Sequence, residues 1–125
     1  MAKKIKIKAR KVEAVAALND TETAQAIWEA LPIKARVNLW GDEIYFSIPV
    51  TLELEEGRDL VEVGDLGYWP PGTALCIFFG PTPMSRGGEV RPASAVNVIG
   101  KVAGDAKVFR KVALGAKIRI EQREE

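Results

Sequence analysis

Aromatic and polar side chains are concentrated at residues 40–46, which read Trp-Gly-Asp-Glu-Ile-Tyr-Phe. Trp40 and Tyr45 offer apolar surface with a hydrogen-bonding edge, and Glu43 adds a carboxylate. Arg36 precedes them by a few residues and adds a cation. Small-molecule sites commonly combine apolar walls with a few converging polar groups. The segment therefore predicts a recognition surface.

The residue types that are missing restrict the chemistry of this surface. The chain has no histidine, and Cys76 is its only cysteine. Internal disulfides, Cys/His zinc sites and Ser-His or Cys-His catalytic pairs are thereby excluded. Acid–base chemistry would need carboxylates, lysines, tyrosines or bound water. We assign no catalytic residue, expect no metal and no cofactor, and interpret Cys76 as an inert core residue within an apolar run.

Two alternating segments position the candidate residues. Apolar residues alternate with polar ones from Ile33 to Trp40, and the alternation resumes from Glu43 to Ile48. Gly41-Asp42 between them suits a two-residue hairpin turn in which glycine supplies a positive φ. The predicted register pairs Trp40 with Glu43, Asn38 with Tyr45, and Arg36 with Ser47. One face of this hairpin is aliphatic, and the other carries Arg36, Asn38, Trp40, Glu43, Tyr45 and Ser47.

The carboxylates of this hairpin differ in their expected roles. Asp42 and Glu43 are neighbours, so on a strand they point to opposite faces and form a poor acid–base pair. Glu43 shares its face with Arg36, and we expect a structural ion pair that keeps Glu43 ionised.

Later segments extend the candidate site. Residues 64–72 are rich in turn formers and contain Tyr68 and Trp69, and residues 74–79 form an apolar run typical of a strand buried on both faces. Residues 80–94 predict a long loop, and such loops are often functional. The full set of expected ligand-binding residues is Arg36, Asn38, Trp40, Glu43, Tyr45, Tyr68, Trp69, Phe79, Thr82 and Arg91.

The remaining patterns predict a mainly β protein. Residues 4–10 alternate as a half-buried strand whose lysines would protect a sheet edge, and residues 12–18, 96–102 and 117–121 predict further strands. Ala24, Ile27, Trp28 and Leu31 follow helical spacing after possible N-caps, and Pro32 ends that run. Residues 50–66 are acidic and predict a surface strand and connection. About eight strands and one short α-helix favour a single closed β-barrel domain over residues 1–125, with its first and last strands paired.

Composition suggests an ordinary cytoplasmic protein. The net charge is +1, so no overall field favours nucleic acid or anionic membrane, and we expect neither as a partner. A basic, nucleic-acid-binding strip along residues 4–10 is a less favoured alternative. No segment reaches the roughly 20 apolar residues that span a bilayer.

The motifs at residues 40–46, 64–72 and 78–83, together with Thr23-Ala24, resemble a family of small prokaryotic proteins of unknown function with a cyclophilin-like fold. The resemblance implies a closed cyclophilin-like β-barrel. Cyclophilins proper isomerise X-Pro bonds with an arginine on a barrel strand and aromatic residues on the next, and Arg36 and Tyr45 occupy comparable positions. The sequence around that arginine, the glutamine and the late tryptophan and histidine of cyclophilins have no match here. The same fold occurs in subunits of oxoprolinase and allophanate hydrolase assemblies.

Three functions remain open from the sequence. The first is a binding module for a small anionic ligand, with Arg36 pairing with the anion, or for an extended peptide. The second is an enzyme, either a weak prolyl isomerase or a hydrolase component. The third is a non-catalytic subunit whose aromatic face contacts a protein partner.

Overall fold

The computed structural model describes residues 3–123, so the ends of the expected domain 1–125 lie outside it. It contains nine strands and one α-helix, α1 (Glu22–Ala30), with 3₁₀ turns at Pro70–Gly72 and Ala106–Lys111. The strands are β1 (Lys4–Ala9), β2 (Val12–Leu18), β3 (Ile33–Arg36), β4 (Asn38–Leu39), β5 (Glu43–Ser47), β6 (Asp65–Trp69), β7 (Ala74–Phe78), β8 (Asn97–Val102) and β9 (Lys117–Gln122). The predicted mainly β architecture with one short helix is confirmed.

The strands form one sheet that nearly closes on itself. Their order is β3-β9-β1-β2-β8-β6-β7-β5-β4, and each pair is antiparallel. The two end strands, β3 and β4, are consecutive in the chain and separated only by Val37, which brings the ends of the sheet together. The Val37 N–H donates to the Ala116 carbonyl at 2.9 Å, and the Gly115 N–H donates to the Val37 carbonyl at 2.8 Å. The result is a barrel, as the need to remove free sheet edges predicts.

Of the two predictions made for β1, its pairing with the last strand is confirmed and its position at a sheet edge is wrong. The first and last strands pair as expected, with Ile7 opposite Ile120. The proposed edge role of the β1 lysines is wrong, because β1 lies between β9 and β2.

The predicted hairpin is confirmed only near its turn. Asn38 pairs with Tyr45, and the Trp40 N–H donates to the Glu43 carbonyl at 2.9 Å. Arg36 does not pair with Ser47. It pairs with Lys117 on β9, and Ser47 pairs with Ala74 on β7. The predicted single strand from residue 33 to 40 divides at Val37, whose buried side chain marks the point where the chain passes from one end of the sheet to the other.

Helix α1 begins and ends where the sequence indicates. The Thr21 side chain accepts a hydrogen bond from the Ala24 N–H and caps the helix, which ends at Ala30 before Pro32. Ile27 is fully buried in the barrel interior, and Trp28 packs against the same core.

Apolar residues form two clusters, one on each side of the sheet. The larger cluster fills the barrel and includes Ile44, Phe46 and Leu66. The smaller one lies on the outer face, under the loops, and consists of Val61, Cys76, Phe78, Val90 and Val96. All residues of β7 are buried, as the apolar run predicts.

The acidic segment and the turn-rich segment differ from their predictions. Between residues 50 and 64 no strand forms, and the segment is held by isolated bridges of Arg58 with Val96 and Val61 with Val90. Residues 65–69 instead form β6, a central strand. Gly67 lets β6 pack closely against its neighbours, since a Cβ at this position would lie only 3.1 Å from Val96 Cγ2 and 3.2 Å from Phe78. Within residues 3–123 no helix is long and apolar enough to cross a membrane.

Candidate functional site

An open cavity of about 190 Å³ lies on the outer face of the sheet, over β5 and β6. We call it the aromatic pocket. Its walls combine three aromatic side chains, one carboxylate and a short apolar segment that precedes β8. The lining residues are Trp40, Glu43, Tyr45, Trp69, Pro92, Ala93 and Val96.

Strand alternation positions the near wall. Glu43 and Tyr45 lie on the outer face of β5, whereas Ile44 and Phe46 between and after them enter the barrel core. The turn before β5 is fixed by two backbone hydrogen bonds, from the Asp42 N–H to the Pro81 carbonyl and from the Phe79 N–H to the Asp42 carbonyl, both at 2.9 Å. This turn therefore holds Trp40 and Glu43 side by side at the pocket.

Trp69 and the segment before β8 form the far wall. Trp69 ends β6, and its indole Nε1 donates to the Ser94 hydroxyl at 2.7 Å. That bond joins the tryptophan to the stretch that contributes Pro92, Ala93 and Val96. One wall of the pocket thus comes from a loop connected to the sheet through a side chain.

Glu43 is the unusual polar group of the pocket. Its side chain is only 6 % exposed, and Oε1 is the one buried side-chain oxygen or nitrogen in residues 3–123 without a hydrogen-bond partner. Burial raises the pKa of Glu43 from 4.5 to about 7, and a hydrogen bond with Cys76 opposes part of this rise. Burial, and then the charge of Glu43, raises the pKa of the Cys76 thiol well above its usual value. Cys76 is accordingly a buried thiol, as expected, and Glu43 is a carboxyl group whose pKa is raised toward neutral pH.

The predicted ion pair between Arg36 and Glu43 is wrong. Arg36 lies on β3 in another region of the barrel wall, where its guanidinium donates to the Gly115 carbonyl at 3.1 Å. Its neighbours there include Lys34, Lys117 and Arg119. The prediction fails because the expected single strand divides at Val37. The polar faces of β3 and β4 therefore belong to opposite ends of the sheet.

Of the other predicted site residues, Trp40, Glu43, Tyr45 and Trp69 come together, and the rest do not line the pocket. Asn38 is exposed on β4. Tyr68 is fully buried, and its hydroxyl donates to the Val50 carbonyl at 2.7 Å. Phe79 is in the barrel core, where its ring lies 6.3 Å from that of Phe109.

Thr82 and Arg91 stabilise the long loop rather than the pocket wall. The Thr82 hydroxyl donates to the Arg91 carbonyl, and the Ser85 hydroxyl accepts from the N–H groups of Thr82 and Arg91 at 2.9 Å and 3.1 Å. The Arg91 guanidinium pairs with Glu89 at 2.7 Å. Pro92, Ala93 and Val96 were not predicted, because small and apolar loop residues carry no pattern that distinguishes a pocket wall from a connection.

The described residues contain no group of three or more acidic, histidine or cysteine side chains that could hold a metal ion. Among the described residues, those that line the pocket give it aromatic faces, one carboxyl group and apolar side chains.

Comparison with known proteins agrees with this fold. The family model described as cyclophilin-like matches residues 3–121. The chain is also similar to a hypothetical protein from Archaeoglobus fulgidus whose solution structure is known. The two are 43% identical with a TM-score of 0.84, over 98% of this chain and 95% of that one. A comparison with curated proteins finds no match.

Proposed function

The chain belongs to the cyclophilin-like family, and from that premise we propose that it is a binding module whose aromatic pocket takes up a compact ligand with a positively charged or N–H-donating group. The observation that carries this proposal is the buried, unpartnered Oε1 of Glu43 beside a cavity with aromatic walls. A buried acceptor without a partner costs about 1–3 kcal/mol, and a bound donor would recover part of that cost.

The charges of the pocket favour a cation over the anion expected from the sequence. Within residues 3–123, Glu43 and Tyr45 are its only ionisable lining residues, and no lysine or arginine lines it. An anion would therefore meet a carboxylate without a compensating cation. A cation would meet the carboxylate and the faces of Trp40 and Trp69, which attract positive charge through their quadrupoles.

The volume of the pocket limits the size of the ligand. Pockets for drug-sized molecules are roughly 300–1,000 Å³, and this one is about 190 Å³. A small amine fits a cavity of this size, and so does the end of a lysine or arginine side chain in an extended peptide. Both sources share the same chemistry, an ammonium or guanidinium group on a short apolar stem.

The first test compares two isosteric probes, tert-butylammonium and tert-butanol. The chain has three tryptophans, of which Trp40 and Trp69 line the pocket while Trp28 packs on the barrel core and serves as an internal control. In NMR titrations we expect the ammonium ion to shift the indole signals of Trp40 and Trp69 only, and tert-butanol to bind at least tenfold more weakly. A Glu43→Gln variant should abolish this preference.

The pH dependence of binding provides a second readout. Burial raises the pKa of Glu43 to about 7, and a bound cation favours the ionised form. Affinity for tert-butylammonium should therefore increase as the pH rises from 6 to 8, while affinity for tert-butanol stays level. Shifts at Trp28 alone, or none, would contradict the proposal, and equal binding of both probes would contradict the role of Glu43.

The source of the ligand is distinguished by comparing n-butylammonium with a capped Gly-Lys-Gly tripeptide. Equal affinity indicates a free small amine, and clearly tighter binding of the tripeptide indicates a peptide. We do not extend the proposal to prolyl isomerisation, since no arginine lines the pocket in the part of the chain that the structure describes.

A further inference from the structure

A second surface, distinct from the aromatic pocket, gathers five cations on three neighbouring strands and a sixth in the turn that follows β1. It is a shallow depression of about 760 Å³ over β1, β9 and β3, and we call it the basic face. Its charged members are Lys8, Arg10, Lys34, Arg36, Lys117 and Arg119. All six are exposed.

The strand register places the five strand cations directly opposite one another. Arg119 on β9 lies between Lys8 on β1 and Lys34 on β3, and Arg36 lies opposite Lys117. Like charges at directly paired positions destabilise a sheet. The arrangement is thus unfavourable for the barrel alone.

Few anions compensate this charge. Among the described residues, the ion pair of Arg119 with Glu121 at 2.9 Å is the only one that a member of the basic face makes. Arg36 donates to a backbone carbonyl. Protection of a sheet edge does not explain the cations of β1 and β9 either, since each of these strands has a neighbour on both sides.

We propose that the basic face binds the phosphate backbone of a nucleic acid duplex without reading its sequence. Neighbouring strands are about 4.8 Å apart, and alternate residues along a strand about 6.8 Å apart, so the cations form a two-dimensional array that suits several phosphates. A single phosphate would engage only part of it.

The composition of the face favours a duplex over other polyanions. In the part of the chain that the structure describes, its lining contains no aromatic residue on which unpaired bases could stack. Its only apolar members among the described residues are Ala35 and Ile118, which gives a membrane little surface for insertion. The net charge of +1 conceals this face because acidic residues elsewhere balance it. The expectation of no nucleic-acid partner relied on that total.

The test measures binding of a fluorescent 20-base-pair DNA duplex by anisotropy at several salt concentrations. Each neutralised phosphate contributes about −0.9 to the slope of log K against log salt. With about four contacts, the slope should be near −4. Reversal of two cations in Lys8→Glu/Lys34→Glu should weaken binding at least tenfold and reduce the slope by about 2.

The matched control is Lys107→Glu/Arg86→Glu, which changes the net charge equally at two exposed cations outside the basic face. It should retain the wild-type slope, and thermal denaturation verifies that all variants fold. Equal losses in both double variants would overturn the proposal, as would absence of binding at 50 mM salt. Tighter binding to vesicles of anionic lipid, or to polyglutamate, than to the duplex would overturn it in favour of those partners.

Discussion

Glu43 shows that strand alternation predicts on which side of the sheet a residue lies, whereas its chemical state depends on what surrounds it. The alternation of β5 places it on the face that forms the pocket. In the folded protein it is buried beside Cys76, and burial raises its pKa to about 7. A surface carboxylate would be fully ionised at neutral pH, whereas this one changes its charge within the physiological range.

The first stability prediction concerns this residue. Because the folded state raises the pKa of Glu43, it binds the proton more tightly than the unfolded chain does, and stability decreases as the pH rises from about 4.5 through about 7. Glu43→Gln removes this dependence. The variant should gain about 2–3 kcal/mol relative to wild type between pH 5 and pH 8, measured by urea denaturation.

Glu53→Gln is the matched control for that experiment, because Glu53 is exposed and lies on the surface loop. Its stability should follow that of the wild type at both pH values. A constant difference between Glu43→Gln and wild type would show that Glu43 has an ordinary pKa in the folded state.

At the scale of elements, the turn between β4 and β5 connects the pocket to the long loop. Gly41 has a φ of +59°, and a Cβ there would lie 2.8 Å from Pro83 Cδ and 3.0 Å from the Pro81 carbonyl oxygen. The predicted glycine turn is therefore confirmed, and its packing against the loop provides a second requirement for glycine that no local pattern contains.

Gly41→Ala should destabilise the protein more than Gly87→Ala does. Both glycines have positive φ, but Gly87 has no atom within 4 Å of the added Cβ. The strained backbone conformation is common to both variants, and only Gly41→Ala adds a collision, which costs about 1–3 kcal/mol further. Chemical denaturation of the two variants measures the difference. Equal losses would indicate that the loop moves aside without cost.

At the scale of the whole molecule, one buried side chain joins three separate parts of the chain. Asn97 begins β8 and is 1 % exposed. Its amide nitrogen donates to the Thr23 hydroxyl on α1 and to the Glu53 carbonyl, both at 3.0 Å, and its oxygen accepts from the Glu55 N–H at 2.6 Å. The Glu55 carboxylate in turn accepts from the N–H of Thr23 at 3.0 Å, near the start of the helix. These bonds hold the acidic segment and the helix on the barrel.

Asn97→Ala should therefore destabilise the protein by about 2–3 kcal/mol, since it leaves buried polar partners unsatisfied. Asn38→Ala, at an exposed position on β4, is the control and should change stability by less than about 0.5 kcal/mol. Urea denaturation tests both. A similar small effect in the two variants would show that water replaces the Asn97 bonds.

The sequence by itself determined most of the strands, the helix and the glycine turn, because each depends on local alternation, capping or glycine geometry. It did not predict the break at Val37, the absence of a strand between residues 50 and 64, or β6. Strand periodicity and aromatic content also singled out Trp40, Glu43, Tyr45 and Trp69, which line one cavity in the structure. Only the tertiary structure decided which face Arg36 joins, because the break at Val37 depends on how the sheet closes. Likewise, the enclosure of Glu43, the loop wall at residues 92–96 and the six-cation face arise where distant segments meet, and periodicity within one segment contains no information about those contacts.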